Sequence, residues 1–521
     1  MAKKTISPFF NTLPLDPAST TPLYRQLYEV LRQAILSGQL SSGARLPSTR
    51  LLADGLNLSR NTVTAAFDQL LAEGYIEGRH GSGTFVSAEL PEDLLAVRNP
   101  DLTIPNHDSL LRPDARTQQN GNSNRPANRE LLSERGRLLV AAPTLPASRL
   151  HAWQGKPLPF TSELPALDRF PADIWTRLLN RRLRQSLPEL LGYKHASGFY
   201  PLREAIATYT GATRGIKCCP EQIIIVSGSQ QGLDLVMRLL IDPGDQVVVE
   251  EPGYPGVKGA ALASGGQIIP VPVDQNGMNV AEVIKRAPHA RLAYVTPSHQ
   301  FPLGVTLNAS RRLALLEWAR QANAWIIEDD YDSEYRYSGR PLAALQGLDR
   351  HDRVIYLGTF SKTVFPALRI GFLVAPPPLV EAFEKARYFE GVHSPILEQA
   401  VLTDFIVEGH FARHVRRMRA LYAERQACLL EVASKELQGQ LDLRPAETGM
   451  SLVARLQQGV SGKEVARQAA LQNLALFPIS NYALEPLERD GLFLGFAAFD
   501  EASIREGVKR LAGVLSKKIP T

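Results

Sequence analysis

Apolar residues recur at helical spacing near the start of the chain. Leu23, Leu27, Val30, Leu31 and Ile35 predict an amphipathic helix ending near Gly38. In LPSTRLLADGL, Ser48 is placed to cap a second helix whose apolar face is Leu51, Leu52 and Leu56. NLSRNTVTAAFDQLLAEG opens a third with Ser59 as its cap. Val63, Ala66, Phe67, Leu70 and Leu71 form one side of it, while Arg60, Asn61 and Thr64 face elsewhere near its start. GYIEGRHGSGTFV follows as a hairpin. Two short helices with a tight link and then a hairpin predict a winged helix-turn-helix over residues 1–88.

From 89 to 155 the pattern has no lasting period. Pro, Asn, Gln, Ser and Arg are scattered through it, which predicts a long, partly disordered linker. From 156 onward, apolar runs alternate with helical segments of 12 to 15 residues: QIIIVSG, QVVVEEPGYPG, ARLAYVTPSHQFPLG, WIIEDDY, RVIYLGTFSK and RIGFLVAP are the strand-like pieces. Continuous apolar strands between helices predict an α/β domain with a mainly parallel sheet buried on both faces. Beyond about 390, helix predominates before LRPAETGMSLVARL and GLFLGFAAFD, predicting a smaller α+β subdomain that completes the 156–521 module.

The 521 residues exceed a single core and fit several domains. No apolar run approaches the length of a membrane span and no secretory signal is present, so a cytoplasmic protein without membrane partners is expected. The three cysteines, Cys218, Cys219 and Cys428, have neither disulfide-framework nor zinc-ligand spacing, and no metal site is expected. A net charge of +5 does not imply nucleic-acid binding, and residues 1–88 hold 8 Lys and Arg against 6 Asp and Glu. The case for DNA rests on arrangement instead. Residues at the start of the second helix of such a motif meet base edges, and there Arg60 can pair with guanine while Asn61, Thr62 and Thr64 read bases or phosphates.

In GTFSK, Lys362 follows a β-rich run and a small-residue turn. A Ser-Lys pair alone is compatible with a surface charge; its companions give it a chemical meaning. A lysine amine condenses with an aldehyde, and a carboxylate such as Asp329 keeps a pyridine nitrogen protonated. Tyr331 can reach the ring's phenolic oxygen, and Tyr254 can stack on the ring. Ser227, Gly228, Ser229 and Gln230, at a strand-to-helix turn, offer N–H groups to a phosphate, with Thr359, Ser361 and the fork of Arg369 completing the cradle. These are the parts that hold pyridoxal 5'-phosphate. Taken singly, Asp329 could equally cap a loop and Arg369 pair with an acid.

The strings PLYRQLYEVLRQAILSGQL, LPSTRLLA, SRNTVTAAFDQL and GYIEGRHGSGTFV resemble the GntR-family DNA-binding domain. That resemblance implies DNA contacts at Arg50, Ser59, Arg60, Asn61, Thr62, Arg79, His80 and Gly81. Residues 156–515 resemble fold-type I aminotransferases. With EPGYPG, TPSHQFPLG, EDDYDSEYRY and GTFSKTVFPALRIGFLVAP, the whole chain resembles the MocR/GabR regulators. The resemblance implies a transcriptional regulator that binds promoter DNA as a head-to-tail, domain-swapped homodimer. It also implies that the regulator senses an amino acid or amine, as an external aldimine at Lys362, or the cofactor itself. The sequence departs from that pattern at Phe477-Pro478-Ile479-Ser480-Asn481-Tyr482, with Asn481 where a carboxylate-binding arginine is expected. His299, Gln300 and Asn481 are therefore the candidate effector contacts. A working aminotransferase and a DNA-binding protein with a purely dimerising C-terminal domain are the rival expectations.

Overall fold

The computed structural model describes residue 10 and residues 13–17, 19, 21–79, 82–88, 132–141, 157–185, 187–337, 342–437 and 439–516. His80 and Gly81 lie outside these residues, as does most of the stretch expected to be linker. The chain divides into two units, Met1–Ser123 and Asn124–Thr521.

In the first unit, the helical pattern becomes α1 (Leu23–Leu36), α2 (Thr49–Leu56) and α3 (Arg60–Ala72). Ser48 and Ser59 cap α2 and α3 through the backbone N–H groups of Leu51 and Thr62. A hairpin of β1 (Ile76–Arg79) and β2 (Gly83–Val86) pairs Ile76 with Val86 and Arg79 with Gly83. Leu27, Leu31, Ile35, Leu52, Val63, Phe67, Leu70, Ile76 and Val86 share one core. Two expectations shift by one helical position. Tyr28 is buried where Val30 is only half-buried, and Leu71 is 41% exposed because the inward face of α3 ends with Leu70.

The second unit is built on an eight-stranded sheet. In chain order its strands are β3 (Ile223–Val226), β4 (Gln246–Glu251), β5 (Gln267–Asp274), β6 (Gly277–Met278), β7 (Leu292–Val295), β8 (Trp325–Asp330), β9 (Val354–Thr359) and β10 (Gly371–Val374). Their spatial order is β3-β10-β9-β8-β7-β4-β5-β6. From β9 to β5 each neighbouring pair is parallel, whereas β10 runs antiparallel to both β3 and β9. Separate apolar clusters bury the sheet, one built around Leu233, Val247, Ile327 and Leu357 and another around Val248, Ala293, Leu315 and Ile326. That is why the strands read as unbroken apolar runs.

A smaller antiparallel sheet of β11 (Leu441–Leu443), β12 (Ser451–Leu456), β13 (Phe477–Pro478) and β14 (Gly491–Gly495) packs with the helices His410–Glu436 and Glu501–Leu515 around a core that includes Tyr422, Leu452, Leu494 and Val508. A helix at Glu134–Ala141 lies beside helix Pro255–Ala263, with Leu139 and Val140 left 61% and 76% exposed. Among the described residues no helix is long and apolar enough to cross a membrane.

Candidate cofactor site and DNA-reading surface

Adjacent parallel strands carry their loops at the same end of the sheet, so residues far apart in sequence meet at the strands' carboxyl ends. β3 leads into Ser227-Gly228, β4 into Pro252–Tyr254, β7 into Thr296–Gln300, β8 ends with Asp329-Asp330, and β9 ends with Thr359 just before Lys362. Nearly every residue singled out in this part of the sequence falls on this rim.

Asp329 is buried. The Tyr294 hydroxyl donates to its Oδ2 at 2.8 Å, and the Ser229 hydroxyl lies 3.4 Å from Oδ1. Burial pushes its carboxyl up to about 7, although both hydrogen bonds act against this. A cation beside it would restore the ionised form, which suits a protonated pyridine nitrogen. β8 ends at Asp330, so Tyr331 lies just beyond the strand; its hydroxyl oxygen is 3.1 Å from His299 Nδ1 and its ring stacks on the imidazole. The same His299 nitrogen donates to Asp332, 2.9 Å from each carboxylate oxygen. Burial disfavours a charged His299, but Asp332 outweighs it and holds the imidazole's pKa above its ordinary value.

The helix Ser229–Leu240 starts at this rim, with Gly228 as its cap at φ 125°. A Cβ on Gly228 would stand 3.2 Å from Arg369 Nη2, so the guanidinium lies against the turn at the helix N-terminus. Arg369 is exposed. The Ser361 N–H donates to Thr359 Oγ1 at 3.2 Å, and the two hydroxyls are 3.1 Å apart. The Ser227 N–H is taken by Gln231 Oε1 at 2.7 Å. A helix N-terminus, two hydroxyls and a guanidinium converge here as a dianion requires. Tyr254 lies edge-on to Phe301, and its hydroxyl is 3.4 Å from Gln230 Oε1.

Lys362 Nζ donates to the backbone carbonyl of Glu163 at 2.8 Å and lies 3.1 Å from that residue's Oε2. Gln300 is buried, and its side-chain amide nitrogen donates to Pro252 O and to its neighbour's carbonyl, Phe301 O, so it braces the turn. Asn481 is exposed in the turn Ile479–Tyr482. The Tyr482 carbonyl there accepts from Lys258 Nζ and from the Gly253 N–H, which ties this turn to the one bearing Tyr254. Sequence reasoning missed Glu163, Tyr294 and Asp332. Tyr294 reads as one more core residue of an apolar strand, and Glu163 precedes Lys362 by 199 residues with no local signal.

In the first unit, Arg50, Arg60 and Asn61 are exposed. Ser59 and Thr62 bond each other, Oγ to Oγ1 at 2.8 Å, at the start of α3. Arg79 pairs with Glu77 at 2.7 Å and lies over the Phe85 ring. Arg45, which the sequence did not single out, also stands over Phe85, 3.2 Å from where a Cβ of Gly83 would be.

A helix-turn-helix reading head joined to a body whose strand ends are shaped for pyridoxal phosphate defines a class: a DNA-binding regulator built on an aminotransferase scaffold. When bound, that cofactor supplies an aldehyde for amines and an electron-withdrawing ring. Residues 165–511 match the family "Aminotransferase class I and II", and residues 23–86 match "Bacterial regulatory proteins, gntR family". The chain is 42% identical to the probable rhizopine catabolism regulatory protein MocR of Rhizobium meliloti, over 96% of this chain and 95% of that one. It is 31% identical to the pyridoxine biosynthesis transcriptional regulator PdxR of Corynebacterium glutamicum, over 96% and 98%. A Pyrococcus horikoshii kynurenine aminotransferase crystallised with PMP matches 75% of this chain and 98% of its own, with a TM-score of 0.69 and 29% identity. The protein belongs to the MocR/GabR family of GntR-type transcriptional regulators, and pyridoxal phosphate is its cofactor.

Proposed function

We propose that this regulator binds a promoter through the start of α3 and the β1–β2 wing, and that its body reports the arrival of a primary amine, or of the cofactor itself, at Lys362. The observation that supports this most is Lys362 at the β9 rim, beside buried Asp329 and the Arg369–Gly228 cradle. Asp329 would hold the ring nitrogen's proton. Arg369, Thr359 and Ser361, with the helix N-terminus, would hold the phosphate, and Tyr254 would cover the ring. An amine that displaces Lys362 frees its side chain, and the signal arises only if the ligand favours one arrangement of the protein over another.

Tyr193 and Phe389, 90% and 80% exposed, and Leu191, 73% exposed, supply apolar surface for a second copy, which supports a homodimer of head-to-tail, domain-swapped type. The cytoplasm is the compartment that a promoter-binding regulator requires. Sustained transamination is the second reading; an exposed asparagine in place of a carboxylate-binding arginine disfavours it.

The test is an absorption spectrum of the purified protein with pyridoxal phosphate, followed by titration with amines while operator binding is measured. The Lys362→Ala variant is expected to lose the lysine-dependent band completely while keeping its far-UV circular dichroism. An unchanged spectrum overturns the site. Accumulation of pyridoxamine phosphate and keto product over many cycles would favour the enzyme.

A further inference from the structure

Glu163 does more than neighbour the lysine. Its backbone sits at φ 65°, in the left-handed region that costs a non-glycine residue about 1 kcal/mol or more. The segment around it is held by the smaller sheet and its helix. The Gly495 N–H donates to Phe160 O at 3.0 Å, the Ala475 N–H to Pro159 O at 3.0 Å, and the Ala166 N–H to the Tyr422 hydroxyl at 2.9 Å. From that frame Glu163 reaches across to the large sheet and meets Lys362 with its carbonyl and its carboxylate. Its side chain is 10% exposed and that of Lys362 20%. Its negative charge also acts on His299, Tyr331 and Asp332. A strained backbone thus presents a largely buried carboxylate to the one amine that must react.

The cations around it are already committed. Arg214 donates to Asp330 and Ser298, Arg312 to the carbonyls of Leu307, Pro297 and Ala343, Arg336 to Glu447, and Lys258 to Glu251 and Tyr482 O. Once Lys362 carries the cofactor, it no longer offers Glu163 an ammonium group. A carboxylate left in that place needs a new donor and repels another anion.

We propose that Glu163 determines ligand specificity. It selects a primary amine without a carboxylate, one that carries a hydrogen-bond donor near the amine, as an amino alcohol or a diamine does. The inference rests on the reading that the body senses an amine at Lys362. It adds which amines are accepted and which residue chooses among them.

The test uses the full-length, cofactor-loaded protein. 2-Aminoethanol, 1,4-diaminobutane, L-alanine and γ-aminobutyrate are titrated against the cofactor's absorption band and against operator binding. At least one of the first two is expected to half-saturate at a concentration about tenfold or more below both amino acids, because like charges are placed together only in the latter case. Which of the two is preferred tells a hydroxyl donor from an ammonium donor. Glu163→Gln is expected to shrink the preference about tenfold. Glu163→Gly, where glycine suits the left-handed backbone, gives a second variant secure in folding and the same loss of preference. Amino acids that win in the unaltered protein, or a preference that survives in both variants, overturn the inference and leave the amine-sensing reading standing. A cofactor band that none of the four compounds moves overturns both.

Discussion

In the reading head, the residues expected to meet DNA are exposed and lie close together in sequence: Arg60 and Asn61 stand at the start of a helix whose opposite face is core. At the rim of the body the reverse holds. Asp329 and His299 are buried, Lys362 and Tyr331 are partly so, and each is bonded to a residue from a different strand or loop. A surface that reads a large polyanion needs side chains free to adapt to it. A pocket that holds a small reactive group needs polar atoms fixed before the group arrives, and burial makes every unpaired one costly. Changes in the two regions should therefore differ in kind: loss of affinity without loss of fold in the head, and coupled losses in the body.

The largest effect is expected at Arg369. Its guanidinium lies against the helix N-terminus, so Arg369→Ala removes charge-assisted bonds worth about 1.5–3 kcal/mol each and weakens the cofactor at least about tenfold in an equilibrium titration. An affinity within twofold of the unaltered protein would place the phosphate elsewhere.

His414 tests the body's buried character away from the rim. It is 5% exposed, edge-on to Phe170, and burial followed by the Arg417 charge depresses its pKa to about 4. A depressed folded-state value means that the unfolded chain binds the proton first. Stability is then full above about pH 6.5 and falls as the pH drops toward 4, by at most about 3 kcal/mol. Denaturant unfolding across that window should show the slope, and His414→Leu should remove this part of it. A slope unchanged in the variant refutes the assignment.

Arg60→Ala comes next, with about 1–3 kcal/mol lost on cognate DNA if it carries one bidentate base contact, and unfolding of the head unaffected. Equal weakening on unrelated DNA would make it a phosphate contact instead. The smallest effect is expected at Ser59→Ala, which removes the cap of α3 and should lower the stability of the head by about 1 kcal/mol. If operator binding falls much further than stability, Ser59 touches DNA directly as well.

How much was legible in advance follows the same division. Helical periodicity, two serine caps and a hairpin are local signals, and the three helices and the wing formed from them with shifts of a single position, at Tyr28 and Leu71. In the body, the apolar runs announced parallel strands buried on both faces, and residues ending those runs were the ones brought to the rim. Lys362, Asp329 and Arg369 were identifiable because a pyridoxal phosphate site needs an amine, an acid and a planar cation, and because such residues stand out against apolar strands.

The partners of those residues were not legible. Tyr294 looked like core, and its hydroxyl is directed to Asp329 only because β7 pairs with β8. Gln300 looked like a ligand contact, but the folded turn takes up its amide. Glu163 lies far upstream of Lys362, and only the packing of residues 157–166 on the small sheet carries it across. The sequence by itself determined which segments are helix or strand and which side chains are chemically able, because periodicity and residue type are local properties. The tertiary structure alone decided which able groups face one another, because pairing between distant segments follows from strand order and domain packing, and no short window of sequence contains either.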